Sequence, residues 1–143
     1  MGSIFTWQVR VYYEDTDAGG IVFYANYLKF FERARTEWLR ATGVNQQALA
    51  TDEGAIFVVK RAAIDYQAPA KLDDVLDLTL VIERLGPASV LFSQQALCKG
   101  ALLASAQVKV GCVDADTLRP RSLPADTAAK MRAACFTTTY APT

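Results

Sequence analysis

The chain has 143 residues, 52% of them hydrophobic and 21% charged, which suits one globular domain with a substantial core. Lys plus Arg number 15 and Asp plus Glu number 15, so no net charge draws it toward nucleic acid or acidic partners. It contains no histidine, which removes Ser-His-Asp and Cys-His catalysis, imidazole zinc sites and histidine acid–base chemistry together.

No apolar run approaches the roughly 20 residues of a membrane helix, so no membrane insertion is expected. The start, Met1 to Phe5, has neither the basic flank nor the apolar core of a signal peptide. Cys98, Cys112 and Cys135 are odd in number and lack metal-ligand spacing. They read as small apolar filler in a reducing, cytoplasmic setting, with a reactive thiol as the lesser alternative. Any catalysis must then come from carboxylates, tyrosines, amides and backbone groups, with no metal or other cofactor.

Taken in order, Ile4 to Tyr13 reads as a strand, with Trp7, Val9 and Val11 on one face. Glu14 to Gly20 is a turn by composition. From about Tyr24 to Thr42 the pattern is helical: Tyr27, Phe30 or Phe31, Ala34, Trp38 and Ala41 recur at spacings of three and four. Glu37 and Arg33 are placed to pair, and Gly43 suits the helix stop. Asn45 to Asp52 reads as a short helix capped by Asn45.

Beyond Gly54 the periodicity becomes that of strands: Ala55 to Tyr66, Val75 to Leu85, Ser89 to Cys98 and Ala101 to Asp114. Lys71 to Asp74 is a turn, Gly86-Pro87 a break, Lys99-Gly100 a hairpin turn and Asp116 to Pro120 a loop. Pro124 to Ala134 reads as a terminal helix, and Thr137 to Thr143 as a loose tail. The expected architecture is α+β, an antiparallel sheet packed on one long helix, forming a single domain over 1–143 with its core at about 4–134. Its edge strands invite pairing in a dimer.

The chemistry concentrates where the first strand runs into the long helix. Asp17 is either a turn-forming or capping acid, or a catalytic carboxylate. In the catalytic reading, Gly19 and Gly20 let backbone approach a ligand, and free amides at the helix start polarise a carbonyl. Glu14 and Asp15 read as solvated turn carboxylates. Tyr12, Tyr13 and Tyr24 are core or interface aromatics, or the wall of an acyl site. Asn26 either caps the helix or touches a ligand. Arg119, Arg121 and Lys130 form a solvated surface or an anion site, to which Ser89 could donate.

The stretch Val9-Arg10-Val11-Tyr12-Tyr13-Glu14-Asp15-Thr16-Asp17-Ala18-Gly19-Gly20-Ile21-Val22-Phe23-Tyr24-Ala25-Asn26-Tyr27-Leu28, with Phe31 to Glu37, resembles the 4-hydroxybenzoyl-CoA thioesterase family of hotdog-fold proteins. Within that family it is similar to the acyl-CoA thioesterase branch associated with the Tol-Pal system of Gram-negative bacteria. The likeness continues through Phe57-Val58-Val59, Tyr66 to Ala70, Leu72-Asp73-Asp74 and Pro120 to Pro124.

The resemblance implies a hotdog fold, a homodimer or homotetramer with sites at the subunit boundary, and hydrolysis of acyl-CoA, with a short aliphatic or an aromatic acyl group, to free acid and CoA. It places the catalytic aspartate on Asp17, the helix-start amide facing the thioester carbonyl on Tyr24, and an active-site tyrosine on Tyr13. It further implies Val58 and Val59 as acyl-pocket walls from the partner, and Ser89 and Arg121 near the CoA phosphates. One departure stands out: the Tol-Pal branch commonly has His where this chain has Tyr24, so a backbone role survives there and a side-chain proton role does not. The rival reading is a binding or scaffolding module acting on acyl carrier protein or phospholipid-synthesis enzymes of the envelope, with little or no hydrolysis. A hotdog dehydratase is disfavoured because those enzymes rely on a histidine.

Overall fold

The computed structural model describes residues 4–134. Five strands, β1 (Phe5–Arg10), β2 (Ala55–Tyr66), β3 (Val75–Leu85), β4 (Ser89–Cys98) and β5 (Ala101–Asp114), form one antiparallel sheet in the order β1-β3-β4-β5-β2. The helix α1 (Tyr27–Ala41) packs against one face, followed by the short α2 (Gln46–Ala48) and later by α3 (Ala125–Ala133). The tail from Thr137 and Cys135 lie outside the described residues.

The strand patterns explain the layering. On β3, Leu76, Leu78, Leu80 and Ile82 are buried in the core. They meet Val90, Phe92 and Ala96 of β4 and Ala104, Ala106, Val108 and Val110 of β5. From α1 come Tyr27, Phe30, Phe31, Ala34, Trp38 and Leu39. Burying each large apolar side chain contributes roughly 1.5–3 kcal/mol, so this seam dominates stability. Ala41, expected on the buried face, is exposed at the last turn.

Lys99 and Gly100 have φ of 51° and 83° and join β4 to β5 by a two-residue turn whose twist matches its strands. The side chain of Asn45 accepts from Ala48 N at 2.9 Å, capping α2, and a wider helical turn over Leu49–Glu53 extends it. Glu37 pairs with Arg40 at 2.7 Å rather than with Arg33, whose guanidinium carbon lies 6.0 Å from the Phe30 ring centroid.

Two departures position the site. β1 ends at Arg10, short of the expected Tyr13, because Val11 N bonds to Asp74 O at 2.8 Å and Tyr13–Asp15 then coils into a 3-10 turn. β2 shifts register between Val59 and Arg61. Before this bulge Phe57 and Val59 face the helix side; after it Ile64 and Tyr66 do.

Candidate active site

The loop after β1 is built by its own polar groups. Asp17 Oδ1 accepts from Gly19 N at 2.8 Å, and Asp17 O accepts from Gly20 N at 3.0 Å. Asp17 N donates to Ile21 O at 2.9 Å, closing the turn, and Gly20 sits at φ 80°, where a side chain is disfavoured. Asp17 is therefore a turn-former and also an exposed carboxylate held in one place.

Asp15 is not the solvated carboxylate expected. It is 4% exposed. Its Oδ2 accepts from Tyr12 N and its Oδ1 from Asn26 Nδ2, both at 2.8 Å. Its carbonyl accepts from Phe23 N at 3.1 Å. Asn26 thus neither caps α1 with its side chain nor faces outward; it ties the helix entry to the loop. The sequence signal for this was the spacing of a carboxylate and an amide on either side of two glycines, legible only once the loop is folded back.

Val22 N bonds to Ala70 O at 2.9 Å, which lays Ile21 and Val22 along the 70–71 segment. A 3-10 turn, Tyr24–Asn26, then leads into α1. The first amides of such a turn have no acceptor within it, so the Tyr24 and Ala25 N–H groups form the donor end of the helix. Tyr66, not singled out from the sequence, donates its hydroxyl to Tyr24 O at 2.9 Å, and its ring packs edge-on against Tyr24 and Tyr27. Burial pushes the Tyr66 hydroxyl above its usual pKa, with Tyr24 adding to the rise, which keeps it a donor.

Ile21, Val22, Tyr24, Tyr27, Tyr66 and Pro69 wall a shallow groove here. Tyr13 and Tyr24 are 82% and 65% exposed, so neither belongs to this subunit's core.

The remaining residues implied by the resemblance lie elsewhere. Val59 lines a cavity beneath α1, and Val58, half-buried, is not among its walls. Ser89 is paired with Gly111 at the start of β4, and Val58 pairs with the same Gly111 from β2. Arg121 N bonds to Cys112 O, and the Arg121 guanidinium reaches Glu53 O at 2.7 Å and Ser122 O at 3.2 Å. Tyr66 lies eight residue steps along β2 from Val58, about 26 Å at a strand's rise of roughly 3.3 Å per residue. The chain by itself therefore brings Tyr13, Asp17 and Tyr24 into one region and holds Val58, Val59, Ser89 and Arg121 at the far end of its sheet.

Lys130 is used locally, bonding to Gly43 O at 3.1 Å and Asp126 at 3.1 Å, so Arg121 and Lys130 do not converge on one anion in the free subunit. Burial pushes the Cys112 thiol up, with nearby Arg121 opposing, in keeping with filler rather than a nucleophile. Among the described residues no cluster of three or more His, Cys, Asp or Glu is placed to hold a metal, and no helix is long and apolar enough to cross a membrane.

Known proteins share this fold and sequence. A family model described as the thioesterase-like superfamily matches residues 11–131. The acyl-CoA thioesterase YbgC of Haemophilus influenzae is 48% identical over 120 residues, 84% of this chain and 88% of its own. The acyl-CoA thioester hydrolase YbgC of Escherichia coli is 45% identical over 131 residues, 91% of this chain and 97% of its own. The crystal structure of a probable thioesterase from Bartonella henselae superposes with a TM-score of 0.81 at 38% identity, covering 85% of this chain and all of that one. With a helix lying across a five-stranded antiparallel sheet and a sequence match over nearly its whole described length, the chain belongs to the thioesterase-like, hotdog-fold superfamily.

Proposed function

We propose that the protein hydrolyses acyl-CoA thioesters, with Asp17 as the reacting carboxylate and the Tyr24 amide as the oxyanion donor. The observation that carries this is the turn itself: an exposed carboxylate fixed by Gly19 N, one short loop ahead of free amides at a helix start. The thioester carbonyl lies against those amides, where loss of one donor typically costs about 3 kcal/mol of transition-state stabilisation. Asp17 either attacks the carbonyl, expelling the CoA thiolate and leaving a mixed anhydride that water cleaves, or removes a proton from the attacking water. Tyr13, exposed on the same loop, flanks the acyl group. The acyl-CoA thioesterase activity of relatives at 45–48% identity supports the substrate class.

The working unit in this reading is a dimer joined along β2. That strand is a 12-residue sheet edge with one side unpaired and mostly exposed. A two-fold axis through its middle lays the Tyr66 end of one copy beside the Ala55 end of the other. This brings a second copy's Val59, with its Ser89 and Arg121, toward Asp17 and Tyr24.

The test is steady-state thiol release from short aliphatic, long aliphatic and 4-hydroxybenzoyl-CoA, by the native chain and Asp17→Asn. A loss of at least about 100-fold in kcat with Asp17→Asn is expected. A loss under about tenfold overturns the role of Asp17, and no turnover by a folded oligomer shifts the reading to an acyl carrier protein module.

A further inference from the structure

A second cavity lies between α1 and the sheet, walled by Leu39, Phe57, Val59, Phe92, Val110 and Met131. Its volume is about 140 Å³, close to the roughly 150 Å³ apolar cavity that holds a benzene. Among these walls α1 places one buried charge, Arg35, which is 9% exposed, with Thr36, Gln46 and the exposed Glu32 completing the lining.

Arg35 is held firmly. Its Nη1 donates to Gln94 Oε1 at 3.0 Å, and Gln94, fully buried on β4, donates its Nε2 to Phe31 O at 3.0 Å. A guanidinium carries five N–H donors, and this bond uses one. No buried side-chain nitrogen or oxygen among the described residues lacks a partner. The other Arg35 nitrogens therefore touch accessible space, and the space Arg35 lines is the cavity.

Among the described residues it forms no ion pair. The ion pairs among the described residues are Arg40–Glu37 and Lys130–Asp126. Glu32, on the cavity rim, is exposed and already accepts from Thr36 Oγ1 at 2.5 Å. Burial lowers the Arg35 pKa while Glu32 opposes the change, yet an arginine stays charged at neutral pH. A buried guanidinium that forms no ion pair, with only an exposed carboxylate nearby, is an arrangement that an anionic ligand group stabilises.

We infer that this cavity receives the far end of a short acyl group and that Arg35 selects acyl groups ending in a carboxylate, the monothioesters of dicarboxylic acids. The inference rests on the thioesterase reading for its substrate. Val59 lines the cavity from the edge strand β2, so the dimer proposed above, on which this inference also rests, would set the cavity toward the other copy's Asp17. Arg35 is a specificity-determining residue here, touching the acyl terminus and not the thioester.

Glutaryl-CoA and pentanoyl-CoA, equal in chain length, test this with the native chain, Arg35→Met and Arg35→Lys. Arg35→Met is expected to lower kcat/KM for glutaryl-CoA by about 30-fold and to change pentanoyl-CoA less than about threefold, with Arg35→Lys retaining more glutaryl activity than Arg35→Met. Equal losses on both substrates reduce Arg35 to a packing residue and overturn the inference, as does an unchanged glutaryl rate. Calorimetric titration with pentanoate and its uncharged isostere pentanamide reads the cavity without catalysis. Binding of pentanoate that Arg35→Met abolishes upholds the anion site even where neither thioester is hydrolysed, which would sink the thioesterase reading alone. Equal binding of acid and amide overturns the site even where hydrolysis stands.

Discussion

At the scale of single residues, the proposed site rests on two aspartates two positions apart with different surroundings. Asp17 faces solvent, while Asp15 is buried and holds the loop to the helix entry through Tyr12 N and Asn26 Nδ2. Asp15→Ala strands both donors and is expected to cost about 2–6 kcal/mol, since each orphaned buried group costs roughly 1–3 kcal/mol. Denaturant melts measure that loss, and kcat should fall with it because the loop carries Asp17. Tyr24→Phe leaves the backbone amide in place, so activity is expected within about threefold of native by the same thiol-release assay. A much larger loss would assign the hydroxyl a role that the geometry does not require. Asp15 was misread from the sequence because three neighbouring carboxylates look alike until the fold decides which one is desolvated.

At the scale of elements, α1 is read correctly from its aromatic spacing, and the four strands after Gly54 match their observed limits. Alternation and turn chemistry are local, so they survive in the sequence. Phe31, fully buried on α1, anchors the helix to the sheet, and Phe31→Ala is expected to cost about 3–5 kcal/mol in denaturant unfolding. Tyr27 links α1 to the 68–71 segment, its hydroxyl accepting from Ala70 N at 3.2 Å. Burial pushes its pKa above the usual value, so the folded state keeps a proton that the unfolded chain releases. The stabilisation is present below about pH 10 and is lost as pH rises beyond it, and Tyr27→Phe should flatten that fall in a stability–pH profile. The bulge in β2 had no sequence mark. It arises from pairing against β5 and turns both Val59 and Tyr66 to the helix side.

At the scale of the whole molecule, the separation of Asp17 from Val59 within one chain makes a prediction about mixing. Asp17→Asn and a cavity-blocking Val59→Trp are each expected to be nearly inactive alone. Co-expressed in equal amounts, they should recover about a quarter of native activity: half the dimers are mixed, and each mixed dimer has one intact site of two. Recovery near zero, with mixed dimers verified by mass spectrometry, would place the whole site within one copy. The absence of histidine, the balanced charge and the Asp17-to-helix motif were settled by the sequence itself, because residue type and local spacing determine which chemistry and which turn are available. Burial of Asp15, the Arg35–Gln94 contact and the distance between the two halves of the site were decided by tertiary structure alone. Desolvation and proximity across the sheet depend on residues far apart in the chain, and no local pattern records them.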